Sequence, residues 1–181
     1  METIKNFDIT EVSKEIKKRL NQLATVDYIN NIGNRKWTSY ILKELRLLGY
    51  EYGFEVCPDN DNQNSEWLYD LIWYKNQDGF LSEIPFIMES EWSYGYDCIK
   101  YDFEKLLQSD SELKLMICCH KYGENDIQYF NEYFPKAIQI YKKQATSTYM
   151  FAILKDWQPF EFKYYKYDFL SKKLTEDERT T

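Results

Sequence analysis

Residues 66–74, EWLYDLIWY, and residues 83–107, EIPFIMESEWSYGYDCIKYDFEKLL, hold the chemistry around which the chain is organised. Each begins as an apolar strand that carries acids within it, and the second runs on into a helix. Side chains in a strand alternate between faces, so Glu89 and Glu91 share one face of their strand. Asp70 lies in the preceding strand. An acid on each of two neighbouring strands is the donor set of a hard cation such as magnesium, which takes oxygen ligands from one or two carboxylates and leaves its remaining positions to water and phosphate.

Outward from this stretch the chain alternates helices and strands. Asp8 or Thr10 caps a predicted helix over Glu11–Leu23, with Val12, Ile16, Leu20 and Leu23 at helical spacing. A second helix is expected over Trp37–Leu48, stopped by Gly49, with Glu44 on or beside its apolar stripe. Tyr50–Val56 reads as a strand, Glu66–Tyr74 and Ile84–Trp92 as two more, and KNQDGF as the turn between them. The segment CPDNDNQNSE is turn chemistry. Its Asp59, Asn60 and Asp61 lack the glycine and terminal glutamate of a calcium loop.

Asp102–Gln108, a helix or its central part, leads to Leu113–Cys119, an almost continuously apolar run expected as a doubly buried crossover strand. Asn125–Gln144 is helical with Pro135 as its kink or break. Thr148–Leu154 and Phe160–Tyr167 form a last hairpin around residues 156–159. The fold class is α+β or α/β, in one domain spanning residues 1–181. Its N-terminal helix falls within 1–30, its core covers about 37–119, an extra helix and strands follow, and a frayed tail is expected over 170–181.

Composition narrows the classes of function. A net charge of −7 over 181 residues argues against tight, purely electrostatic binding of nucleic acid, though carboxylates gathered for a divalent ion add to that total and the ion reverses the local sign. Four cysteines, Cys57, Cys98, Cys118 and Cys119, include no C-x-x-C pair and read as reduced thiols. No apolar run reaches membrane-spanning length, and the amino terminus lacks a signal-peptide core, so a cytoplasmic protein without membrane contact is expected. His120 is the only histidine, too few for a histidine metal centre. Only Cys118 shares its strand face, and buried cysteines are usually inert packing. Tyr94, Tyr96 and Tyr101, in a chain with 17 tyrosines, either stack on bases or cover the core.

The order helix, three-strand antiparallel meander, helix, crossover strand resembles the restriction-endonuclease-like core of the PD-(D/E)xK nuclease superfamily. The resemblance spans Trp37–Cys119 and rests on order and placement. It implies that Asp70, within Leu68–Leu71, is the first acid and Glu89, within Met88–Trp92, the second. It also makes Glu44 the helical acid that some branches add. Where the family has lysine two residues after the strand acid, this chain has Glu91, so the sequence is divergent, with E-x-E in place of E-x-K. Some branches bring the lysine from a neighbouring helix, which nominates Lys105 ahead of Lys100. The implied metal ligands are Asp70, Glu89, Glu91 and Glu44, with magnesium or manganese as the ion. Asp70, Glu89, Glu91 and Lys105 are the implied catalytic set, and DNA or RNA is the substrate. Two other readings keep these residues: an inactive nuclease fold serving as a regulatory module that binds a protein partner or a second copy, and an unrelated α+β domain with a surface acid cluster.

Overall fold

The computed structural model describes residues 6–25, 34–59, 67–93, 95–120, 126–142, 146–155 and 160–177; of residues 34–36, 120 and 126–129 the backbone alone is described. Its elements in chain order are α1 (Ile9–Thr25), α2 (Asn34–Glu51), β1 (Glu55–Cys57), β2 (Leu71–Gln77), β3 (Phe80–Glu91), α3 (Tyr96–Gln108), β4 (Leu113–His120), α4 (Asp126–Ile140), β5 (Thr148–Lys155), β6 (Glu161–Asp168) and β7 (Lys173–Glu176). The seven strands lie in one sheet in sequence order. β3, β4 and β5 are parallel to one another and every other neighbouring pair is antiparallel. The result is a mixed α/β architecture.

Alternation along the central strands divides the interior into two cores. Phe86 and Met88 of β3 and Trp92 just after it, with Leu115, Ile117 and Cys119 of β4, point to one face, which α1 and α2 cover. Ile87 of β3 and Met116 and Cys118 of β4 point to the other, covered by α3 and α4 through Ile99, Phe103, Leu106, Phe130, Phe134 and Ile138. The near-continuous apolar runs of β4 and β5 follow from this double burial. Glu89 and Glu91 share the parity of Ile87 and therefore lie on the α3–α4 side.

Several local expectations change. Asp8 does cap α1, its Oδ1 accepting the Glu11 N–H at 3.0 Å. Gly49 does not stop α2, which runs on to Glu51. A Cβ at residue 49 would lie 2.8 Å from the Trp73 indole Nε1 and from Val56 Cγ1, so the glycine lets the helix approach the sheet. β1 shrinks accordingly to three residues.

The six-residue turn expected at KNQDGF is a two-residue one. Asp78 and Gly79 have φ of 54° and 82°, the geometry that matches the twist of a tight hairpin, and β2 and β3 extend to either side of them. α3 spans Tyr96–Gln108, and the segment read from Asp102 is its C-terminal half. Pro135 sits inside an unbroken α4. Lys173–Glu176, expected to fray, pairs with β6 as an edge strand, and Asp177 binds both Lys17 of α1 and Lys166 of β6 at 3.2 Å. The segments 60–66, 156–159 and 178–181 fall outside the described residues, as does Tyr94.

Candidate metal and phosphate site

The site is assembled where β2 begins, β3 ends and α3 passes over them. Leu71 pairs with Met88 and Ile72 with Ile87. One step beyond that register Asp70 faces Glu89, and directly opposed residues in an antiparallel pair have Cβ atoms roughly 5 Å apart. Asp70 precedes the first paired residue of β2. Its Oδ2 accepts two hydrogen bonds from Ser90, from N–H and from the hydroxyl, both 2.7 Å. These fix the carboxylate against β3 and leave Oδ1 without a hydrogen bond from the described residues.

Glu89 is 1 % exposed, on a strand flanked on its α3 side by apolar residues. α3 returns antiparallel over this face, and its spacing of Ile99, Phe103 and Leu106 as the buried stripe sets Asp102 and Lys105 at the border of that stripe. Lys105 Nζ consequently lies 2.8 Å from Glu89 Oε1 and 3.1 Å from Asp102 Oδ1. The first of these contacts has the distance of an ion pair but not the alignment of a hydrogen bond, and Glu89 Oε1 has no well-formed hydrogen bond.

The cluster holds three acids and one cation out of bulk water, and its protonation follows. Burial pushes the Glu89 carboxyl up to about 9; the nearby Asp70 adds to the rise and Lys105 opposes it. Burial likewise raises Asp70, against the two Ser90 hydrogen bonds and Lys105. Asp102 is raised for the same first reason, with Lys105 opposing. For Lys105 burial works against the charge, but the Glu89 and Asp102 carboxylates outweigh it and its pKa is raised. Burial thus biases the three acids toward their neutral forms, while the Lys105 ammonium and the Glu89 carboxylate each favour the other's charge.

Of the residues expected from the sequence, Asp70, Glu89 and Lys105 come together. Glu91 lies close enough to raise Asp70 and Asp102, yet its Oε1 accepts the Ser93 N–H at 2.7 Å and is turned toward its own loop. Glu44 does not belong to the cluster. It is on α2, over the opposite face of the sheet, and pairs with Arg19 of α1 at 3.3 Å; Arg19 also reaches Glu51, so the three residues fasten the two helices together. Lys100 is half-exposed and lies 3.9 Å from Glu104 on its own helix. Cys118 is buried, and the side chain of His120 lies outside the described residues. Sequence reasoning missed Asp102, although a D-x-x-K spacing on a helix is a readable signal for an acid that holds a lysine.

As a cation site, the cluster offers two adjacent carboxylates, one with an unengaged oxygen and one buried without an aligned hydrogen bond. That donor set fits magnesium or manganese, which complete their shells with water and substrate oxygen. Among the described residues no group of three or more histidine, cysteine, aspartate or glutamate side chains is arranged to hold a metal ion. No described helix is long and apolar enough to cross a membrane. The chain matches no protein-family model, no curated protein and no solved structure.

Proposed function

We propose that Asp70, Glu89 and Lys105 form a divalent-cation-dependent phosphodiesterase site and that the chain is a divergent PD-(D/E)xK nuclease, whose lysine comes from the helix after the second acid. The observation that carries this is the 2.8 Å contact between Lys105 Nζ and buried Glu89, beside an Asp70 held on the neighbouring strand. The order of α2, the antiparallel β1–β3, α3 and a β4 parallel to β3 supports the same reading. A cytoplasmic location is part of the same proposal.

In this reading Asp70 and Glu89 hold magnesium or manganese. The ion, when bound, neutralises phosphate charge and lowers the pKa of a coordinated water. Glu89, whose carboxyl is raised by burial, has to be ionised to hold the ion, which ties binding to pH. Lys105 then keeps one partner, Asp102, and presents its ammonium to the phosphate oxygen on which negative charge accumulates. Glu91, at the end of β3, keeps one carboxylate oxygen on the Ser93 N–H and has the other to accept a proton from water at the edge of the site.

The test is hydrolysis of labelled DNA and RNA oligonucleotides with magnesium or manganese. Cleavage that disappears in EDTA, in Asp70→Asn and in Glu89→Gln, with both variants folded, is the expected result. Cleavage that survives both substitutions contradicts the proposal. One observation favours a second reading, an inactive nuclease fold that binds a protein partner or its own copy: among the described residues no group of three or more histidine, cysteine, aspartate or glutamate side chains is arranged to hold a metal ion. That reading expects a stable chain and no cleavage with any divalent ion.

A further inference from the structure

We infer that the groove between α3 and α4 receives unpaired bases, which makes single-stranded nucleic acid the substrate class of the site. The chemistry rests on the phosphodiesterase reading; the substrate class rests on the groove. α3 carries Lys105 against Glu89 and, one turn earlier, Tyr101 in solvent at 68 % exposure, with the Lys105 ammonium 5.8 Å from the centre of the Tyr101 ring. A planar ring therefore stands open beside the cation assigned to the phosphate.

Next to it on the same helix opens a groove of about 870 Å³, bounded by Leu107 on one side and by Tyr133, Ala137, Ile140 and Tyr141 on the other. Ile140 is 66 % exposed. Lys136 and Lys142, both exposed, are among its lining residues, and Glu104 of α3 is the one acid there, so the charge of the lining is positive on balance. Leu107, which lines the groove, is two residues from Lys105 on α3, so the groove and the acid cluster are neighbours on one helix.

The chemistry of this surface selects its occupant. Aromatic and apolar walls take the face of a base, and every base has one. Two lysines of the lining take the phosphates that flank it. Duplex DNA keeps its bases stacked inside and offers a charged exterior, which a chain of net charge −7 binds poorly. A strand with exposed bases replaces that missing electrostatic attraction with stacking. The groove's volume falls within the range of sites that enclose small organic ligands, enough for one or two nucleotides.

Fluorescence anisotropy of the full chain in calcium, with a fluorescein-labelled oligo(dT) strand and with the matching dA·dT duplex, tests this. The single strand is expected to bind at least about tenfold more tightly than the duplex. Tyr141→Ala and the Lys136→Ala, Lys142→Ala pair are each expected to weaken single-strand binding by about tenfold, with circular dichroism unchanged. Equal affinity for strand and duplex, no binding to either, or groove variants within about twofold of the parent chain would each overturn the inference. Groove-dependent binding without cleavage by any divalent ion would sustain the groove assignment and defeat the hydrolytic reading. Unselective cleavage of duplex and strand, unaffected by the groove variants, would do the reverse.

Discussion

Replacing Glu89 by glutamine separates the charge of the site from its shape, and the sign of the effect on stability decides between two descriptions. In the folded chain Glu89 is 1 % exposed and its carboxyl is pushed up to about 9, by burial first and by Asp70 second, from an ordinary value of 4.5. The unfolded chain loses that proton as pH rises through 4.5, while the folded chain keeps it until about 9. The stability contributed by this group is therefore complete in acid and is lost progressively as pH rises across that window.

Linkage alone gives a loss of up to about 4 kcal/mol at pH 7.5, and relaxation of Lys105 with entry of water reduces it to about 2 kcal/mol. Glutamine fills the same volume without a proton to lose. The metal-free variant is accordingly expected to be more stable than the parent chain by about 2 kcal/mol at pH 7.5, a rise in Tm of about 4–8 °C, and equal to it near pH 4.5. Urea denaturation in EDTA at several pH values provides the measurement. A plain buried ion pair between Glu89 and Lys105 behaves in the opposite way, because removing one partner of such a pair destabilises by roughly 3–5 kcal/mol. A variant less stable than its parent at pH 7.5, or a difference that does not vary with pH, would refute the reasoning.

Other expectations follow from the same coordinates. Gly49→Ala improves helix propensity by about 1 kcal/mol but drives a Cβ into Trp73 and Val56, so thermal unfolding should show a net loss of about 1–2 kcal/mol. Glu44→Ala should leave divalent-ion-dependent cleavage within about twofold of the parent, with a stability loss of no more than about 1 kcal/mol from the Arg19 contact, both read on one preparation. Lys105→Met removes the cation that holds Glu89 down. Cleavage should fall at least about 100-fold, and the pH profile of what remains should move to higher pH, as rate measurements across pH 6–10 would reveal.

The order of helices and strands was legible because apolar periodicity records which residues must leave water. The central strands are buried on both faces and announce themselves as runs such as LKLMICC. Asp70 and Glu89 were legible for a related reason, since acids inside IPFIMESEW need a compensating environment. Lys105 could be nominated because a helix following its strand directly must fold back over it. Asp102 sits one turn from that lysine but looks like any solvated helix acid until its partner is known.

Glu44 misled because helical periodicity identifies a buried stripe without saying which face of the sheet it covers. α2 covers the face away from Asp70 and Glu89, and the partner of Glu44 is Arg19, 25 positions earlier in the sequence. Gly49 reads as a helix stop from sequence alone, whereas the close approach of Trp73 that it permits is a tertiary contact. The Asp78–Gly79 pair was a readable hairpin signal, hidden by treating the surrounding polar residues as one turn. β7 is mostly exposed and charged, and its pairing with β6 leaves no hydrophobic pattern to detect.

Manganese titration by calorimetry in two buffers of different ionisation enthalpy addresses the central claim most directly, because it counts ions and protons together. At pH 7 one ion should bind per chain with release of close to one proton, and that event should be absent in Glu89→Gln and in Asp70→Asn. No measurable binding, or binding that persists in both variants without proton release, would contradict the assignment of these two carboxylates to a cation.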